Sequence, residues 1–176
     1  NFKIMKKVIL LLSICFYITQ LHAQRFESKP LDDSGESYEV RIKHYNKFFG
    51  AELDAEKLAP LSKESAKTQQ RLEKRNQCVQ KLLNKQLKQI LKQIGETEGG
   101  GFWVAFYLDK TGKVVTVKFM LSATTYTRIS TKTLKELYNI AMNEKFDPSC
   151  YNFDDTHIYA IDGCDLMKRA IEEEKN

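Results

Sequence analysis

The sequence is short of the residues on which most assignments of chemistry rest. Its 176 residues hold three histidines, four cysteines, three prolines and one tryptophan. No CxxC, HExxH, GxSxG or phosphate-loop spacing occurs. No motif-borne metal, nucleophile or nucleotide site is therefore expected. Nor does any apolar run reach the roughly 20 residues that cross a bilayer. The clearest such run, Val8–Ile18, has eleven. The formal net charge is only +5, too little to mark a nucleic-acid binder.

What stands at the N-terminus is a layout for export. Met5 reads as the start, Lys6 and Lys7 as the positive region, and Leu21-His22-Ala23 as the small-residue cut site. Residues 1–23 are expected to be a signal peptide, which places the mature chain in the periplasm or outside the cell. A retained anchor is the alternative. Ile14 before Cys15 excludes a lipoprotein cut. Cleavage would leave 153 residues with 25 basic and 23 acidic side chains, one domain's worth of chain.

Three cysteines then remain, Cys78, Cys150 and Cys164. Cys150 and Cys164 bracket a predicted strand and are the expected disulfide, closing a loop worth about 3 kcal/mol in the chain-entropy model. Three reduced, buried thiols are the alternative. Cys78 projects into the middle of a basic helix face, so an exposed thiol tending to thiolate is expected there.

Residues 24–61 read as a polar segment followed by a short helix. Tyr38, Ile42, Tyr45 and Phe49 recur at helical spacing, and Gly50 supplies the stop. Tyr38, Val40 and Ile42 also alternate like a strand, but the stop signal favours helix. Residues 62–176 read as a single α+β domain. Its long helix runs from Ser62 to Ile94, with Leu72, Val79, Leu83, Leu87, Ile90 and Ile94 on one stripe. Lys67, Arg71, Lys74, Lys81, Lys85, Lys88 and Lys92 form the opposite face. Residues 62–94 hold nine basic and two acidic side chains, a net of +7, and residues 147–174 hold eight acids and two bases, a net of −6. The basic face is thus open to three readings: a solvated surface, a partner for the chain's own acidic tail, or a contact with anionic lipid or an acidic protein.

Phe102–Leu108 and Lys113–Leu121 alternate strictly around Asp109-Lys110-Thr111-Gly112, which predicts a hairpin. Trp103, Tyr107 and Met120 share one hairpin face, either under the long helix or as an exposed recognition patch. Ser130 caps a helix with Leu134, Leu137, Tyr138 and Ala141 on its buried edge. Thr156–Asp162 predicts a third strand and Asp165–Glu174 a terminal helix. The expected fold is a two-layer α+β sandwich, a mostly antiparallel three-stranded sheet packed on helices, with the long basic amphipathic helix at its N-terminal side. Placing the third strand beside the first makes every neighbouring pair antiparallel. That leaves Thr156, His157, Ile158, Tyr159, Ala160, Ile161 and Asp162 as a lysine-free edge.

Phe102-Trp103-Val104-Ala105-Phe106-Tyr107-Leu108-Asp109, Gly112-Lys113-Val114, Leu121-Ser122 and Lys145-Phe146-Asp147-Pro148 follow one another in order. In this, residues 102–149 resemble the C-terminal domain of TonB-type energy transducers. The resemblance implies a sheet whose free edge captures an extended segment of an outer-membrane receptor. The expected function is an exported, non-enzymatic binding module without cofactor, metal or catalytic residues, and its partner an envelope protein or extended peptide. The alternatives are a hydrolase or metal protein using Cys150, Asp154, Asp155 and His157, and an adaptor that pairs its long helix with another.

Overall fold

The computed structural model describes residues 26–43, 55–84, 87–88 and 101–167. The hairpin expected from strict alternation is its centre. β3 (Phe102–Asp109) and β4 (Val114–Ser122) pair antiparallel, with Val104 opposite Phe119 and Phe106 opposite Val117. Asp109 Oδ1 holds the turn by accepting from the N–H groups of Thr111 and Lys113. Gly112 adopts φ +78°, and a Cβ there would collide with the Phe146 carbonyl oxygen. Both conformation and space demand glycine at this corner.

Two strands that the sequence reading missed extend the sheet. β1 (Phe26–Pro30) takes the place of the expected loose segment, and β2 (Ser37–Ile42) that of the start of the expected 38–49 helix. Tyr38 pairs with Leu121 and Val40 with Phe119, so the period-two signal wins because its apolar face completes the hairpin's core. Tyr45, Phe49 and Gly50 lie outside the described residues. β5 (Tyr159–Asp165) pairs with β3 on the other side and begins three residues after the expected third strand. The order is β1-β2-β4-β3-β5, all antiparallel. The sheet has five strands, not three.

Three helices pack on the sheet: α1 (Ser65–Leu82), the short α2 (Ala123–Arg128) and α3 (Thr131–Met142). The hydroxyls of Ser122 and Ser130 accept from Thr125 N and Thr133 N, which starts α2 and α3. Leu134, Leu137, Tyr138 and Ala141 are buried, as their spacing requires. The expected helix from 62 to 94 is corrected. α1 stops at Leu82, and Leu83 (φ −83°, ψ 78°) has left the helical region. Leu87 and Lys88 are helical again, while Lys85, Ile90, Lys92 and Ile94 lie outside the described residues. Of the expected terminal helix, Leu166 and Met167 are described and helical.

The core lies between the helices and the face of Phe102, Phe106, Leu108, Phe119 and Leu121, all essentially without exposure. Each such side chain contributes about 2–3 kcal/mol by burial.

Candidate functional site

Two buried carboxylates fix α1 to the sheet. Asp162 on β5 is 3% exposed, and both of its oxygens accept from Arg71 Nη1 at 3.0 Å. Tyr151 donates its hydroxyl to Asp162 Oδ2, and Arg75 Nη1 stands 3.9 Å from Oδ1. Glu144, just past α3, accepts from Lys74 at 2.7 Å, Lys81 at 2.6 Å and the Cys78 thiol at 3.4 Å. Burial alone would raise the Glu144 carboxyl, but these three donors together hold it below the usual range. Burial and the Asp162 charge push the Tyr151 phenol up.

Part of the basic face of α1, at Arg71 and Lys74, is therefore an inner face. Arg71, Lys74, Arg75, Cys78 and Leu82 follow at intervals of three or four, and this mixed stripe meets the acids. Cys78 corrects the expectation of an exposed, reactive thiol. It is fully buried, and desolvation followed by the Glu144 charge raises it to about 12. The expected Cys150–Cys164 disulfide is corrected as well. No disulfide joins them, and both are buried. From the turn that holds Cys150, the neighbouring Tyr151 reaches β5 at Asp162, two residues short of Cys164.

The ladder pattern shows what each sheet edge offers. Val104, Phe106 and Leu108 turn their backbone groups to Cys164, Asp162 and Ala160, so Tyr159, Ile161 and Gly163 turn theirs outward. Tyr159 O accepts from Ala59 N, and Ile158 N donates to Lys57 O. Gly163 N donates to Asp162 Oδ1 and Gly163 O accepts from Arg75 Nη1. The chain thus closes most of this edge on itself. Of the expected edge residues, Thr156, His157 and Ile158 precede the strand, Ala160 and Asp162 face β3, and Ile161 is left between the two closures.

Among the described residues the opposite edge is open. Leu31 N donates to Ser37 O, so Glu27, Lys29 and Leu31 face β2, while Phe26, Ser28 and Pro30 face outward. Beside them lies a cleft of about 300 Å³. Phe26, Ile129 and Leu134 give it an apolar floor, and Ser28, Tyr126 and Thr131 bring hydroxyls. Ser28 Oγ and Tyr126 OH are 2.7 Å apart, and the Tyr126 ring stacks on Tyr38 at 4.5 Å. The sequence signal for this edge was the alternation of Tyr38, Val40 and Ile42.

Trp103, Tyr107 and Met120 do share a face, but as a patch they are not exposed. Trp103 is 44% exposed, Met120 is half-buried, and Tyr107 is 5% exposed with Lys118 Nζ 5.4 Å from its ring centroid. α1 packs on the other face of the sheet. His157 Nδ1 pairs with Asp154 Oδ2 at 2.7 Å, and Cys150 is not among its partners. The His157 N–H and ring hold the Asp154 carboxyl down, whereas burial, followed by Asp147, raises the Cys150 thiol. Among the described residues, no cluster of three or more metal-capable side chains is present, and no helix is long and apolar enough to cross a membrane.

No family model matches the chain, and no curated protein matches it. Among solved structures it is similar to the crystal structure of a DUF5043 family protein from Bacteroides uniformis ATCC 8492. The TM-score is 0.49 at 12% identity, over 81% of this chain and 80% of that one. The resemblance of residues 102–149 to TonB-type C-terminal domains is corrected accordingly: no family model bears it out.

Proposed function

We propose that the chain is an exported, non-catalytic binding module that captures an extended peptide along β1. What supports this reading is one juxtaposition: the outward N–H and C=O of Phe26 and Ser28 beside the 300 Å³ cleft. Strand addition takes its affinity from main-chain hydrogen bonds and its selectivity from pockets for alternate side chains. A strand laid along β1 would point every second side chain into the cleft. The apolar floor and hydroxyl rim fit small β-branched side chains, which also favour extended backbone. The Cys150–His157 alternative has less support, because His157 Nδ1 pairs with Asp154 and burial, followed by Asp147, raises the Cys150 thiol.

The test is selection of peptides from a random display library on the full chain, followed by titration against Ser28→Pro. That substitution deletes an outward donor while sparing the β1–β2 ladder. Selected peptides are expected to lose at least about tenfold in affinity, as one lost main-chain hydrogen bond plus its displaced neighbours requires. Unchanged binding to Ser28→Pro would reject the β1 edge as the site.

A further inference from the structure

α1 brings three cations inward, Arg71, Lys74 and Arg75, with the mostly exposed Lys81 at their margin, and the fold meets them with two buried carboxylates, Asp162 and Glu144. The interface keeps a surplus of positive charge. At its end, between α1 and residues 145–151, a cleft of about 120 Å³ opens. Gln70, Arg71, Lys74, Lys145 and Asp147 line it, and Cys150 sits at its buried base.

Several donors here are uncommitted. Arg71 spends Nη1 on Asp162, leaving Nε and Nη2 without an acceptor among the described residues, and its side chain keeps some exposure. Lys145 is exposed, and its ammonium meets no carboxylate among the described residues. Lys74 gives a hydrogen bond to Glu144 and has donors to spare. The Cys150 thiol stays protonated because burial, and then Asp147, raise it. The carboxylate at the rim, Asp147, is taken up by Ser149 N and the Gln70 amide, with Oδ2 at 2.9 Å from Gln70 Nε2.

We infer that this cleft binds a phosphoryl-type oxyanion. A guanidinium with two free donors beside two ammonium groups matches a compact, multiply charged anion better than a single carboxylate. The chemistry is shared by free phosphate and by a phosphate monoester, and the site is independent of the β1 edge.

The experiment is amide-resolved NMR titration of the full chain at constant ionic strength with inorganic phosphate, glycerol 3-phosphate and acetate. Both phosphates are expected to give saturable shifts confined to Gln70, Arg71 and residues 145–151, with acetate weaker. Lys145→Glu should weaken phosphate binding about tenfold, as loss of a charge-assisted contact does. Lys110→Glu, an equal charge change on the exposed β3–β4 turn, should leave it unchanged. Tighter binding of the ester identifies a monoester ligand and tighter binding of phosphate the free ion, and either upholds the site. Shifts that do not saturate, or equal losses in the two variants, would overturn it.

Discussion

The outer strands of this sheet are finished in different ways, and the contrast separates structural from functional backbone. Along β5 the outward groups of Tyr159 and Gly163 are taken by Ala59, by Arg75 and by the Asp162 side chain of the strand itself. Along β1 the outward groups of Phe26 and Ser28 have no such cover among the described residues, and Pro30 interrupts the donor row. An exposed edge is a liability unless something manages it. Here one edge is consumed to dock α1, and the other is left beside a cleft. The comparison also explains where the charge went. Asp162 caps the edge with one oxygen while receiving Arg71, so the same carboxylate closes β5 and seats the helix.

Removing that carboxylate should produce the largest change. Asp162→Asn leaves the Arg71 and Arg75 guanidiniums, both mostly buried, and the Tyr151 hydroxyl without their anion. A loss of about 3 kcal/mol is expected, since breaking a buried pair strands its partners. Urea denaturation at neutral pH measures it, and hydrogen exchange at Gly163 should accelerate in the same variant. A loss under about 1 kcal/mol would mean that β5 is closed by packing alone.

Glu144→Gln should cost less, about 1–2 kcal/mol, because Lys81 is largely solvated and keeps its hydration. Its signature is in pH. The Glu144 carboxyl is held below its usual value of 4.5. Its contribution is therefore complete above pH 4.5 and disappears as pH falls through the lowered value. The buried Cys78 thiol, raised from 9.0 to about 12, acts at the other end. Its contribution is complete below pH 9.0 and is lost as pH climbs towards 12. Chemical denaturation across pH should show both slopes, and Glu144→Gln should flatten the acid one and lessen the alkaline one, because the Glu144 charge adds to desolvation in raising the Cys78 thiol. An acid slope that survives the substitution would assign it to other carboxylates.

The parts legible in sequence were those whose signal is local. The β3–β4 alternation, its Asp109–Gly112 turn and the Ser130 cap need nothing from elsewhere in the chain, and each lies where its pattern puts it. The parts that were not legible depend on distant partners. Tyr38, Val40 and Ile42 become a strand because Leu121 and Phe119 await them across β4. Arg71 and Lys74 turn inward because Asp162 and Glu144, 91 and 70 residues away, supply buried anions. A helical wheel leaves open whether such a face meets solvent, the chain's own acidic segment or a partner, and cannot choose which cation meets which acid. Cys78 differs from its expectation for the same reason, since it sits between Lys74 and Lys81, which both reach the buried Glu144.

The smallest effect on the folded state is expected at Pro30, and it would sharpen the contrast between the edges most directly. Pro30 is exposed and faces away from β2, so no ladder hydrogen bond depends on it. Pro30→Val should change stability by less than about 1 kcal/mol, the range of a proline exchange in a permissive site. What it adds is an outward N–H, making a third donor in line with those of Phe26 and Ser28. A β-branched residue in place of an edge proline also removes a common guard against pairing between chains. The variant should therefore self-associate at concentrations where the wild-type chain stays monodisperse, a difference that sedimentation velocity resolves. Ser28→Pro introduced into the same chain should reverse the association. Equal sedimentation of Pro30→Val and wild type would show that β1 is closed by something other than its proline, and the two edges would then differ less than their hydrogen bonds imply.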